Sequence, residues 1–390
     1  MVQDSNHTDL FVFYSCLPTE SNTNYQNVYA KKDTKQFRIH PVISVFPNSG
    51  DINDTTGYST ERLDLVKSAI TKVLSDYPDS AGICLDYMRY KSGQVIDTSH
   101  INTITGVMKQ LVNHIKQLEK TNQRTYIITA TVSPEVYSNE NWKCNYYNQS
   151  YKEFSLACDY VLPMLYVYDY VSNYNSDKFY AMQNIFKKII SLAGKTTAKN
   201  NFVGILQTYN EKTSPITRLP VKEVIYNTMA TYMLAENGYL YFRAGLTSGL
   251  YTTPSQVRNY KSNTGAGANN KVERNVVIKL ESTTISKSTT ISKSTTEGIK
   301  FSILDTYGGY VTGGTATIFI DGTSQELTNP VSSSQKTSLA VVDQKPLTFK
   351  VKNLTTFSTG KHTIKIGYNG NATKGIKSGT LNETEVTFTT

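Results

Sequence analysis

The chain has 390 residues, of which 38% are hydrophobic and 18% charged, and its formal net charge is +9. That length predicts two to three domains, each able to bury a core, and the composition excludes intrinsic disorder. The basic side chains are dispersed, which argues against nucleic-acid binding, and no apolar run nears the roughly 18 residues that span a bilayer.

Met1–Ser5 shows no basic region ahead of an apolar one, so no signal peptide is read there. The chain is then either intracellular or a piece of something longer. Near-continuous apolar runs predict parallel strands at 10–15, 39–46, 82–87, 126–132, 160–166, 203–208 and 239–244. Between them, Leu63, Val66, Ile70, Val73 and Leu74 share one helical face; Ile101, Ile104, Met108, Leu111, Ile115 and Leu118 share another. Further helices are predicted at 179–192 and 221–235, the latter preceded by Pro220 and stopped by Asn237-Gly238. Repeated strand–helix units over about 250 residues predict a TIM (β/α)8-type barrel. Seven strands are legible, and the missing first strand is assigned upstream of the chain.

Tyrosine marks a boundary, because 25 of 28 precede residue 271. The expected organisation is a barrel over 1–262, a small-residue linker over 263–271 and an all-β domain over 272–390. TTISKS at 283–288 repeats at 289–294. Such a Ser/Thr tract reads as low complexity or as a simple edge strand, and the favoured expectation is an entry strand near 272–281 followed by a mobile loop. Short strands at 301–304, 316–320, 339–342, 347–351, 362–368 and 385–389, with a hairpin signal at Asp321-Gly322, predict an immunoglobulin-like sandwich without a disulfide. None of Cys16, Cys84, Cys144 and Cys158 forms a C-x-x-C pair. Cys16 and Cys84 read as buried small hydrophobes, and pairing of Cys144 with Cys158 stays open. Six N-x-S/T sequons, at Asn6, Asn53, Asn148, Asn353, Asn371 and Asn382, are a weak pointer to an outside location.

In such barrels the working residues stand at the C-terminal ends of strands. Those ends carry Asp86 with Arg89 and Tyr90, then Glu135, then Tyr166 with Asp169, then Gln207 with Tyr209, and finally Arg243. Carboxylates among aromatic rings suit sugar chemistry: rings stack on the sugar's C–H faces, and carboxyls supply acid, base or nucleophile. A Gly-rich phosphate loop and a His/Asp metal cluster are both missing from the sequence, so neither a metal nor an organic cofactor is expected.

The string Gly82-Ile83-Cys84-Leu85-Asp86-Tyr87-Met88-Arg89-Tyr90 resembles the G-I-x-L/F-D-Y-V-R-Y/F signature of glycoside-hydrolase-like TIM barrels. The later runs Pro163–Tyr166 and Gly204–Tyr209 are similar to strands of the same family, in the same order. Val311–Ile318 resembles a strand of the immunoglobulin-like repeats that accompany such barrels in adhesin-like surface proteins of methanogenic archaea. The resemblance implies a cell-wall or extracellular polysaccharide partner, pseudomurein among the candidates. It also implies a place at the cell surface, with any signal or anchor outside this chain.

Two departures set the alternatives. Family 18 chitinases end the corresponding strand in D-x-E, and aligning their last Asp with Asp86 puts Met88 where the proton-donating Glu would stand. Gln207 occupies the seventh-strand place where another retaining clan carries Glu. The candidate catalytic set is therefore Asp86 with Glu135 or Asp169, separated by about 5–5.5 Å for a retaining mechanism or 6.5–9.5 Å for an inverting one. Arg89, Tyr90, Tyr166, Gln207, Tyr209, Arg243 and the lone Trp142 are the candidate substrate contacts. The competing readings are an Asp86–Arg89 ion pair that only fixes the mouth, a helix-capping Glu135, a solvated Asp169 and a buried Trp142. Tyr87 is expected inside the barrel wall. Two functions follow: a glycoside hydrolase, or a non-catalytic carbohydrate-binding adhesin on a degenerate barrel.

Overall fold

A computed structural model describes residues 9–136, 143–166 and 178–219, apart from 18, 36, 54, 92–95, 198 and 211–216. Beyond these it describes 224, 227–228, 231, 234 and 237–242, then 275–281, 290–292, 298–305, 311–328, 337–341 and 347–389, apart from 312, 373 and 374. The chain divides into two compact units, the first built of alternating strands and helices and the second of strands.

In the first unit, seven strands form one parallel sheet: β1 (Asp9–Phe13), β2 (Arg38–Ser44), β3 (Gly82–Asp86), β4 (Ile127–Val132), β5 (Tyr160–Leu165), β6 (Gly204–Gln207) and β7 (Tyr239–Phe242). Their order in space repeats their order in the chain, from β1 to β7. An open doubly wound sheet reverses its order at a switch point. With right-handed crossovers, an unreversed order sends every helix to the same side, and the sheet curls to cover its other face. That is barrel topology, and its seven strands are the seven legible in the sequence. Among the described residues, β1 and β7 are the edges.

The helices follow from the same pattern. The helix α1 (Thr23–Tyr29) precedes β2; α2 (Thr60–Asp76) and α3 (Thr98–Asn122) flank β3; α4 (Tyr151–Ala157) precedes β5, and α5 (Lys178–Leu192) precedes β6. The α2 stripe of Leu63, Val66, Ile70, Val73 and Leu74 is buried throughout, and Ser59 caps the helix by accepting from the Arg62 N–H. Asp97 caps α3 in the same way. In α3, Ile104, Met108, Leu111 and Ile115 are buried while Ile101 and Leu118 lie at the margin of the stripe. Within the stretch read as 221–235, the described residues Val224, Asn227, Thr228 and Thr231 are helical. No helix among the described residues is long and apolar enough to cross a membrane.

Successive strand residues face opposite sides. Cys84, Leu162 and Val203 cluster with Phe11, Val42, Ile205 and Leu240, one residue parity drawn from six strands, and this is the inner layer of the curled sheet. Two residues further along the same parity stand Phe13, Ser44, Asp86, Met164, Gln207 and Phe242, at the C-terminal mouth. At the opposite end Asp9 accepts from Arg38 at 2.8 Å and lies 2.8 Å from the buried His40 ring nitrogen, tying β1 to β2.

The second unit has two sheets around one core. One is antiparallel, with β8 (Val276–Leu280) and β12 (Leu347–Phe349) on either side of β10 (Ile299–Asp305). The other runs from β9 (Thr290–Ser292) through β14 (Gly379–Thr389) and β13 (Gly360–Tyr368) to β11 (Thr315–Ile320). Ile278, Phe301 and Ile303 of the first sheet share a core with Ile318, Ile320, Ile364, Ile366, Val386 and Phe388 of the second. The hairpin read at Asp321-Gly322 is present, with both residues at positive φ and Ile320 paired to Thr323, the geometry of a two-residue turn. Of the two readings of the repeat, the favoured loop gives way to the edge strand over Thr290–Ser292, which pairs parallel with β14 at the margin of its sheet.

Candidate functional site

Asp86 closes β3 after four buried residues and is itself half-buried. The Thr131 hydroxyl of β4 donates to its Oδ1 at 2.5 Å, and the Tyr87 N–H donates to the same oxygen at 2.8 Å. Among the described residues Oδ2 receives no hydrogen bond. Burial pushes the carboxyl above the usual carboxylate range; the Thr131 and Tyr87 donors and the Arg89 charge pull it part of the way back. Such a group keeps its proton to higher pH than an ordinary carboxyl, and the free Oδ2 is the place for it.

The chain turns sharply past Asp86. Tyr87 has φ +52°, a left-handed conformation uncommon for a residue with a side chain. Its carbonyl accepts from the Phe46 and Arg89 N–H groups at 3.1 and 3.0 Å, which holds the turn against the end of β2. The turn buries Met88 and leaves Tyr87 41% exposed, so the expectation of Tyr87 inside the wall is corrected. The Arg89 guanidinium lies over the Tyr147 ring, 4.3 Å from its centroid, and 5.1 Å from that of Tyr87. Arg89 and Asp86 form no ion pair, so the reading of Asp86 as a simple partner of Arg89 is not what the structure shows.

Glu135 is half-buried beyond β4. The Ser133 hydroxyl donates to its Oε2 at 3.0 Å, and the Glu135 and Arg89 charges both act on the Tyr147 phenol. Burial first, then the Glu135 charge, pushes that phenol up. The loop holding these groups is fixed by the buried Gln149. Its Oε1 accepts from the Ser133 N–H at 2.9 Å and the Asn145 amide at 2.8 Å, while its Nε2 donates to the Met88 and Thr131 carbonyls, each at 3.2 Å. Arg89 thus neighbours both Asp86 and Tyr147, and Tyr147 in turn neighbours Glu135.

Of the other sequence candidates, Tyr166 stacks on Phe242 with centroids 5.7 Å apart. Tyr209 is buried against the same Phe242, Gln207 is buried, and Tyr90 is buried against His100 of α3, so none of the three is an exposed rim residue. Asp169, Trp142 and Arg243 lie outside the described residues. Cys144 and Cys158 are both buried free thiols, which closes the question of their pairing. Among the described residues no group of three or more His, Cys, Asp or Glu side chains is arranged to hold a metal.

Thr131, Tyr147 and Gln149 were not among the residues read from the sequence. The alternation Thr129-Ala130-Thr131 on a strand buried on both faces is a signal for Thr131, since it puts polar groups on the inner parity. Nothing local marks Tyr147 or Gln149.

No protein-family model matches the chain, and no curated protein matches it by sequence. Among solved structures it is similar to a chitinase from Chromobacterium violaceum, at 12% identity and TM-score 0.35, over 52% of this chain and 61% of that one. It is also similar to the glycoside hydrolase domain of PgaB from Bordetella bronchiseptica, at 10% identity and TM-score 0.48, over 64% of this chain and 87% of that domain. A third is the spore cortex-lytic enzyme SleL from Bacillus megaterium, at 9% identity and TM-score 0.42, over 65% and 74%. The chain thus spans about three fifths of the length of the chitinase and larger shares of the other two.

Proposed function

We propose that the protein is a glycoside hydrolase acting on a cell-wall or extracellular polysaccharide, with Asp86 as general acid and Glu135 as the second carboxylate. The observation that carries this is the one-sided anchoring of Asp86: among the described residues Oδ1 holds two donors and Oδ2 none, and burial favours the protonated form. In the reaction the Asp86 proton passes from Oδ2 to the glycosidic oxygen as the bond to the anomeric carbon breaks, and the bonding pair leaves with that oxygen. Glu135 then either takes a proton from the water that attacks the anomeric carbon, or bonds to that carbon and is displaced by water in a second step. Asp169 is the alternative partner. Arg89 and Tyr166, with Tyr87 and Phe242, supply the sugar-facing surface. The second unit is an immunoglobulin-like module, a spacer or wall-binding element, within domains bounded at 1–262 and 272–390. The protein works outside the cell and takes no nucleic acid partner.

The second reading is a non-catalytic glycan-binding adhesin, favoured by Met88 and Gln207 standing buried where related barrels carry acids. Release of new reducing ends from purified wall glycan and a soluble glycan panel separates the two. The hydrolase reading expects release by the wild type, a fall of about 10²-fold or more in Asp86→Asn, and a comparable fall in Glu135→Gln. Binding without release by the wild type would support the adhesin.

A further inference from the structure

The Arg89 guanidinium is the least explained charge at the mouth. Among the described residues it carries no carboxylate ion pair, although its charge acts on Asp86, and its contacts are the Tyr147 and Tyr87 rings. Its guanidinium lies over the Tyr147 ring at 4.3 Å and over the Tyr87 ring at 5.1 Å from the centroids. Rings against a guanidinium leave its N–H edges as the free hydrogen-bonding surface. A fork held in this way matches the two coplanar oxygens of a carboxylate, which it binds with two parallel charge-assisted bonds; a neutral sugar hydroxyl offers one. The molecule as a whole carries +9, so a polyanionic chain is drawn toward it while a neutral one is not.

We propose that the sugar seated beside Asp86 is a uronic acid, and that Arg89 receives its carboxylate. This rests on the reading of the mouth as a glycan site and names the class of glycan. It has a consequence for the acid. Arg89 is one of the groups that favour ionised Asp86. A substrate carboxylate paired to Arg89 offsets that influence, so binding the anionic sugar favours the protonated form of Asp86. Among the described residues the other groups that bond Asp86 are neutral donors, the Thr131 hydroxyl and the Tyr87 N–H.

The test is calorimetric binding of oligogalacturonate and of its fully methyl-esterified form to the full chain, in parallel with reducing-end assays. The free acid should bind at least about tenfold more tightly than the ester, with a preference that weakens as salt rises. Arg89→Gln should bind the two forms alike, and Arg89→Lys should recover only part of the difference, since an ammonium keeps the charge but loses the fork. Equal affinities for acid and ester in the wild type would overturn the proposal, and so would no binding of either at millimolar concentration. A sulfated neutral oligosaccharide bound in preference to the uronate would overturn it as well. The comparison of acid with ester needs no variant to fold. Uronate preference without product release would leave this assignment standing and defeat the hydrolase; release from neutral glycans with no preference would do the reverse.

Discussion

Asp86 combines a cost with a use. Its carboxyl is taken out of water at the end of a buried strand, and two donors on a single oxygen do not compensate fully, which is why its pKa rises. A group raised in the folded state stabilises the fold fully below its unfolded pKa, and that stability is lost as pH rises through the folded value. Asn keeps an oxygen for the Thr131 and Tyr87 donors and cannot ionise. We therefore expect Asp86→Asn to melt with the wild type near about pH 3 and above it near about pH 8, a gap that opens across the range where Asp86 gives up its proton. A wild type that melts higher at the alkaline end would mean Arg89 outweighs burial. The position of Asp86 was legible because an acid ending an apolar parallel strand is unusual. Its surroundings were not, since Tyr87 turns outward only through a backbone conformation that its residue type does not announce.

At the scale of elements, the site depends on how closely β3 and β4 approach. Gly82 pairs with Ile127 at the start of both strands, and a Cβ on Gly82 would lie 1.9 Å from the Ile127 carbonyl oxygen. That oxygen is backbone within a ladder and cannot retreat without carrying β4, and Thr131 on it, away from Asp86. Gly82→Ala should cost about 3 kcal/mol or more of stability, read as a lower urea midpoint. An unchanged midpoint would show that the strands have room that the register denies. The loop after β4 is held by side-chain amides instead of a ladder. Gln149 joins the β3 turn, the end of β4 and its own loop, and this brings Tyr147 between Arg89 and Glu135. Seven strands, their parallel character and the apolar stripe of α2 were readable because burial on two faces and a 3.6-residue period leave marks in composition. A single Gln joining three segments leaves none.

At the scale of the molecule, each unit has its own apolar interior. Among the described residues the second unit buries twenty hydrophobic residues, Phe301, Phe349 and Phe388 among them, in one cluster. A core of that size is enough for autonomous folding of a unit of about 120 residues. Residues 272–390 expressed alone should therefore unfold in a single cooperative urea transition with a β-type circular dichroism spectrum. A broad, gradual loss of signal would mean that the unit needs the rest of the chain. Strand order matters at this scale too, because an unreversed order gathers the ends of β1, β3, β6 and β7 around one mouth.

The sequence by itself determined the succession of elements, the change of grammar near residue 271 and the acid at the end of β3, because these rest on local period, burial and composition. Tertiary structure decided what surrounds that acid. Which oxygen of Asp86 is anchored, that Arg89 lies on tyrosine rings and not on a carboxylate, and that Tyr90, Gln207 and Tyr209 are buried all depend on how separate elements pack, through contacts such as those 45 and 61 positions apart. The physical reason is that hydrogen-bond partners and ring contacts are set by the packing of whole elements, and spacing along one strand or one helix does not encode which neighbour another element brings.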